Sequence, residues 1–204
     1  AGFIGSHLVE AYLQTGAEVR VLDNLRTGRR ENLDEVVTRC EGRGHFQLFE
    51  GDITDPHMVQ KAATGADYIF HQAALPSVQR SVEEPATTND VYITGTLNML
   101  LAARDAKVER FVFSSSSSVY GDTPTLPKRE DMTPQPLSPY ALSKLTGEHY
   151  LNYYRKVRGL EYVALRYSNV FGPRQDPHGE AGVVAIFCNR LLKNEALTIF
   201  GDGE

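Results

Sequence analysis

The sequence predicts an α/β fold, a doubly wound parallel sheet that lacks its first strand and is followed by the start of a smaller substrate domain. Three observations predict it. Short apolar runs of strand character alternate with stretches of helical periodicity, the pattern of a parallel sheet with crossover helices. A glycine turn, Ala1-Gly-Phe-Ile-Gly-Ser, opens straight into a helix with no strand ahead of it. Residues suited to binding and proton transfer (Asp23, Asp52, Ala73, Ser116, Asn169) fall at the carboxyl ends of strand-like runs, where such sheets hold ligands. Residues 1–166 are assigned to the sheet domain, and residues 167–204 begin the second.

In chain order, Gly2 and Gly5 have the spacing of the last two glycines of a Gly-x-x-Gly-x-x-Gly turn. Such a turn presents free N–H groups and the positive end of a helix to a pyrophosphate. A helix from about Gly5 to Thr15 ends near Gly16, and Glu18-Val-Arg-Val-Leu-Asp23 alternates as a strand ending in an acid. A carboxylate about twenty residues past the glycine turn suits the hydroxyls of an adenosine ribose. Asp23 also repels a 2′-phosphate, so NAD is expected rather than NADP, with Arg26, Arg29 and Arg30 a solvated basic loop.

The third strand, Phe46 to Glu50, leads to Gly51-Asp-Ile53, where Asp52 either faces an adenine amino group or caps the next helix. Asp67 to Leu75 reads as a buried strand ending in small residues that let a cofactor pass. A long helix is expected from about Ser81 to Arg104, then strands over Val108–Ser114 and Glu161–Arg166. Between those two strands lies the Tyr140 helix, with apolar positions at Leu142, Leu145 and Leu151 beside His149. A helix around Gly182 to Lys193 and a strand near Leu197 to Phe200 follow. The strandless opening and the closing Thr198-Ile-Phe-Gly-Asp-Gly-Glu204, a strand running into a turn, read as a piece of a longer protein.

The stretch from Ser114 to Lys144 carries the chemistry. Five serines follow Phe111-Val-Phe113 where a buried strand reaches the surface, and Tyr140 and Lys144 lie four apart on one helical face. A free tyrosine ionises near pH 10, about three units too high for a base near neutrality, a gap of about 4 kcal/mol. A lysine cation close by, with a positively charged nicotinamide ring, favours the phenolate by that order. A serine hydroxyl donates and accepts at once, so it can hold a substrate oxygen and relay its proton. The same residues could also be an ordinary serine-rich loop and helix; the strand-end coincidence of the other site residues decides against that.

Composition excludes other classes. A formal charge of −5 without a basic run gives no footprint for nucleic acid, and no apolar stretch approaches membrane-spanning length. Cys40 and Cys188, far apart in sequence, are expected as reduced thiols of a cytoplasmic protein. The six histidines are scattered without ligand spacing, so no metal site is expected.

The whole length resembles the extended short-chain dehydrogenase/reductases, and within them the NAD-dependent UDP-glucose 4-epimerases. The matching residues are Ala1 to His7, Leu22-Asp-Asn-Leu25, Gly51-Asp-Ile53, His71-Gln-Ala-Ala74, Ser114 to Gly121, Tyr140-x-x-x-Lys144 and Leu165 to Pro177. The resemblance implies a Rossmann-like domain with Ser116 as catalytic serine, Tyr140 as base and Lys144 as its partner and ribose anchor. It implies that Gly2, Phe3, Ile4, Asp23, Asn24, Asp52, Ile53, Ala73 and Tyr167, with Tyr140 and Lys144, line NAD. Asn169, Val183, Val184, Phe187, Phe200 and Gly201 would join Ser116 and Tyr140 around a UDP-sugar. Two positions depart from the family pattern: Tyr92 stands where an asparagine usually supports the cofactor pocket, and Ser168 replaces a phenylalanine before Asn169.

The implied reaction is inversion at C4 of the sugar through a transient 4-keto species, with the hydride passing to NAD and back. Dehydratases of the family carry Thr-Asp-Glu, or at least a Glu, just before Val-Tyr-Gly, and decarboxylases also a Glu; Ser117 and Ser118 stand there instead. UDP-glucuronate and UDP-N-acetylglucosamine 4-epimerases are the alternatives, ahead of a dehydratase, a decarboxylase or a non-catalytic NAD-binding protein. A homodimer built on the long helices near Ser81–Arg104 and Tyr140–Arg155 is a further implication.

Overall fold

A computed structural model of the chain describes residues 1–75, 77–177, 182–199 and 201. Among them the strands are β1 (Glu18–Asp23), β2 (His45–Glu50), β3 (Tyr68–His71), β4 (Arg110–Ser116) and β5 (Tyr162–Tyr167), all paired in parallel. β1 pairs with β2, while β3, β4 and β5 form a second sheet in that order. The α/β class is as expected, with the parallel sheet in two parts and an open cleft between β1 and β3.

Helices α1 (Phe3–Gln14) and α2 (Arg30–Arg39) cover the first part, around Val9, Leu13, Leu33, Val36 and Cys40. The larger core joins α3 (Pro56–Ala63), α6 (Gly95–Ala106) and α7 (Pro139–Arg158) to β3, β4 and β5 around Val59, Leu100, Phe111, Phe113 and Leu151. Phe111 and Phe113, alternating inward on β4, are essentially fully buried.

Helix α7 begins where the sequence dictates. Ser138 caps it by accepting from Ala141 N at 3.1 Å, and Pro139 sits at the first position, where its missing N–H costs nothing. Gly159, in the left-handed region, ends it. Its seating on β4 depends on Gly147, because a Cβ there would meet the Phe113 ring at 2.6 Å. This close approach sets the residues at the helix start against the end of the strand.

Several expectations are corrected. The helix expected over Ser81–Arg104 is broken into α4 (Val78–Glu83), α5 (Pro85–Asn89), a π-helical turn (Asp90–Thr94) and α6. Pro85 has no N–H to continue the ladder of α4, and the π turn inserts a wider loop of hydrogen bonds before α6. The helix following Asp52 is capped by Asp55, whose carboxylate accepts from His57 N and Met58 N. Helix α8 (Val183–Leu192) forms, but Leu197–Ile199 makes no strand, having no neighbouring strand to pair with among the described residues. Phe200 lies outside the described residues.

Candidate active site

The cleft between the two sheet segments has a volume of about 1980 Å³ and is lined from both sides. Ser116, Tyr140 and Lys144 meet there with Gly2, Phe3, Ile4, Asp23, Asn24, Asp52, Ile53, Ala73, Tyr167 and Asn169. Val183, Val184, Phe187 and Gly201 do not line it; the two valines are exposed on α8.

Ser116 is the last residue of β4, and a 3₁₀ turn (Ser117–Tyr120) follows it. Its Oγ accepts from Ser118 N at 3.2 Å and from Ser118 Oγ at 2.9 Å. With those acceptor positions engaged, its own hydrogen is the group left to donate to a ligand. The turn ends at Gly121, whose positive φ and approach to the Gln135 carbonyl exclude a side chain.

Lys144 is 3% exposed and pairs with no carboxylate among the described residues. Its Nζ donates to the Ser114 carbonyl at 2.6 Å and lies 5.0, 5.2 and 5.8 Å from the ring centres of Tyr92, Phe113 and Tyr140. Burial pushes its pKa down to about 7. The Tyr140 ring meets that of Tyr92 edge-on, centres 5.4 Å apart. A buried cation thus sits beside the phenol, the arrangement that favours a phenolate.

The other end of the cleft suits a dinucleotide. Helix α1 follows Gly2 with no side-chain cap, and a Cβ on Gly2 would meet nothing within 4 Å, so a ligand can approach the backbone at the helix start, where uncapped N–H groups favour an anion. Asp23 accepts from Leu25 N at 2.8 Å and from the Ala1 nitrogen at 2.9 Å. Asp52 accepts from Thr54 N and Thr54 Oγ1, both at 2.8 Å, and from Asn24 Nδ2 at 2.6 Å. Buried atoms without a protein partner, His71 Nδ1, Gln72 Nε2 and Ser114 Oγ, belong to residues lining the same cleft.

Three sets of residues with a role here escaped the sequence reading. Glu148, one turn beyond Lys144, takes the Arg166 guanidinium at 3.0 and 2.7 Å and the Ser115 hydroxyl, tying α7 to β4 and β5. Its eight-residue spacing from Tyr140 on the same face was a readable signal. Glu148→Gln is expected to cost about 1.5–3 kcal/mol, the range for hydrogen bonds to charged groups, in denaturant unfolding. An unchanged midpoint would show that the clamp contributes nothing. Ser118, which donates to Ser116, is the second. The third is Arg174, which donates to His7 Nδ1 at 2.6 Å and to Glu10, while His7 Nε2 donates to the Pro173 carbonyl at 2.9 Å. These contacts hold the loop after β5 against α1.

His71 is 4% exposed, and burial together with the nearby Lys144 charge pushes its pKa from 6.5 down to about 3. The unfolded chain therefore binds a proton in that window that the folded chain refuses. Stability is whole above about pH 6.5 and falls as pH drops toward 3, by up to about 1.4 kcal/mol per unit. His71→Gln should flatten this dependence in unfolding measured at about pH 7 and about pH 5; an unchanged slope would contradict the assignment.

Among the described residues no group of His, Cys, Asp or Glu is arranged to hold a metal, and no helix is long and apolar enough to cross a membrane. A model of the NAD dependent epimerase/dehydratase family matches residues 1–204. The chain is 46% identical over 205 residues to the UDP-glucose 4-epimerase of Mycolicibacterium smegmatis, covering 100% of this chain and 64% of that protein. It is similar to the solved UDP-N-acetylglucosamine 4-epimerase of Methanobrevibacter ruminantium, bound to UDP-N-acetylmuramic acid, with TM-score 0.92, 41% identity, and 100% and 64% of the two chains covered. It is also similar to the UDP-glucose 4-epimerase of Thermus thermophilus in complex with NAD, with TM-score 0.86, 47% identity, and 98% and 62% covered. The chain thus spans about 64% of the length of the curated relatives it matches.

Proposed function

The chain belongs to the NAD-dependent epimerase/dehydratase family, and on that premise we propose that it holds NAD and inverts C4 of a UDP-sugar of the UDP-glucose/UDP-galactose type. The inversion passes through a transient 4-keto sugar. One observation carries the reading: Ser116, Tyr140 and Lys144 meet in one cleft, while Ser117 and Ser118 stand where a family dehydratase or decarboxylase has its acid.

Bound NAD supplies the hydride acceptor and donor. Gly2, Phe3 and Ile4 would hold its pyrophosphate at the α1 N-terminus, Asp23 and Asn24 the adenosine ribose, and Asp52 and Ile53 the adenine, with Ala73 and Tyr167 lining the rest of the cofactor. Tyr140 removes the proton of the sugar 4-hydroxyl, either directly, with the Ser116 hydroxyl donating to that oxygen, or through Ser116, which then gives up one of its bonds from Ser118, accepts the sugar proton and passes its own hydrogen to Tyr140. Lys144 keeps the phenolate accessible near neutral pH. Without a carboxylate at Ser118 nothing removes a proton from C5, so the keto sugar turns and is reduced on its other face instead of losing water.

Asn169, with Val183, Val184, Phe187, Phe200 and Gly201 of the second domain, is assigned to the UDP-sugar, and the boundary between domains is placed at 166/167. UDP-N-acetylglucosamine is the second substrate reading, favoured by the match to an enzyme of that name. Product mass tests the reaction class: epimerisation leaves the mass unchanged, and loss of water or carbon dioxide would overturn it.

A cytoplasmic location is supported by two free thiols, Cys40 and Cys188. A homodimer is supported by Leu142, Tyr153 and Val157, exposed on α7, and Val82 on α4. Sedimentation of the full gene product as monomer alone would overturn the dimer.

A further inference from the structure

The ring of Tyr92 touches both members of the Tyr140–Lys144 pair from outside their helix and is itself tied to a third element. It lies on the π turn, 4% exposed, and its hydroxyl donates to the Leu75 carbonyl beyond β3. Its ring stands edge-on to Tyr140 at 86°, and the Lys144 ammonium lies 5.0 Å from its centre, nearer than to either other ring. We propose that Tyr92 is a positioning residue for the proposed 4-epimerase reaction, its ring fixing Tyr140 and holding the Lys144 cation in an aromatic cage. The inference rests on the reading of Tyr140 and Lys144 given above.

The physical need for such a cage is plain. Lys144 is withdrawn from water and, among the described residues, gains no anion in return, only the Ser114 carbonyl. Ring faces attract a cation through their quadrupole, and more strongly when water is excluded. The π turn matters because it carries Tyr92 between the Leu75 loop and α7, and the anchored hydroxyl fixes the tilt of the ring. Among the described residues, the titratable group that feels the Lys144 charge is His71 on β3; Arg80 on α4 and Lys128 on the long connection line the same cleft, and the Glu148–Arg166 clamp lies one turn along α7. Among the described residues none of them is a free anion beside the ammonium, so the rings and the Ser114 carbonyl hold the charge. The tyrosine is therefore a working part of the site, where the sequence pattern suggested only a change in cofactor packing.

The test compares Tyr92→Met, which fills the space without a ring face, with Tyr92→Phe, which keeps the ring and frees it from Leu75. Both are made in the full gene product, and Lys144 is followed by NMR with isotope-labelled lysine beside the pH profile of kcat. In Tyr92→Met the Lys144 titration should move down, and the acid limb of kcat up, by roughly half to one pH unit. In Tyr92→Phe both should stay in place while kcat falls by about two- to fivefold, the loss of a single hydrogen bond. Should the methionine variant not fold, Tyr92 replaced by pentafluorophenylalanine, which reverses the ring quadrupole at similar shape, must give the same shift relative to Tyr92→Phe. Variants that lose only thermal stability, with Lys144 and the acid limb unmoved, would overturn the inference. A parent protein that inverts no sugar would overturn the proposed reaction instead, and the Lys144 titration reads the cage either way.

Discussion

Tyr140→Phe is expected to lower kcat by about 10²- to 10⁴-fold, the contribution of a positioned acid–base group. The substitution removes one oxygen and leaves the ring, so the edge contact with Tyr92 and the Lys144 ammonium over its face persist. NAD and sugar binding should therefore change little, and kcat and kcat/KM should fall together, the mark of an interaction made in the transition state. Melting and NAD-binding measurements separate this from a folding defect. Residual activity within about tenfold of the parent would mean that another group takes the proton, with Ser116 the first to examine.

Lys144→Met should cut activity and raise stability at the same time. Methionine matches the stem of the lysine and fills the space among Tyr92, Phe113 and Tyr140 without a charge. Replacing a buried ion with an apolar side chain of similar volume is often stabilising by about 1–4 kcal/mol, and the loss of the bond to the Ser114 carbonyl subtracts from this. The pH dependence gives the sign. Burial lowers the folded pKa to about 7 from 10.5, so the cost of the native lysine is full below pH 7 and fades as pH rises toward 10.5. The stability gain of the variant should shrink across that window. Activity should fall by about 10²-fold or more, since the phenolate loses its cation. A variant less stable than the parent at about pH 6 would show that the ring cage more than offsets burial.

The sequence made the fold legible wherever local chemistry dictated it. Asp23 at a strand end, Ser138-Pro139 at a helix start and Gly159 at its end all act as their residue types require. Ser116 at a strand end facing Tyr140 and Lys144 was likewise readable from spacing. The buried face of α7 was legible only in part: of the apolar positions in the periodicity Leu151 is fully buried but Leu142 is 53% exposed, whereas Ala141, Ser143, Lys144 and Gly147 are inside. That face is built for close approach to β4 and for a charge, and a hydrophobic count cannot register either. The interruption at Pro85 was signalled by the proline itself, but the π turn beyond it depends on where Tyr92 must reach. The Glu148–Arg166–Ser115 clamp joins three elements distant in sequence: spacing put Glu148 on the Tyr140 face, but its partners emerge only from the packing.

The central claim is that Tyr140, Ser116 and Lys144 act together to invert C4 of a UDP-sugar. Its most direct measurement is proton NMR of the full gene product incubated in D2O with UDP-glucose, and in parallel with UDP-N-acetylglucosamine and UDP-glucuronate. The account predicts inversion of one of these sugars, with its C4 hydrogen retained and with inversion abolished by Tyr140→Phe. No inversion of any sugar, inversion with deuterium at C4, or accumulation of NADH in place of a second sugar would contradict it.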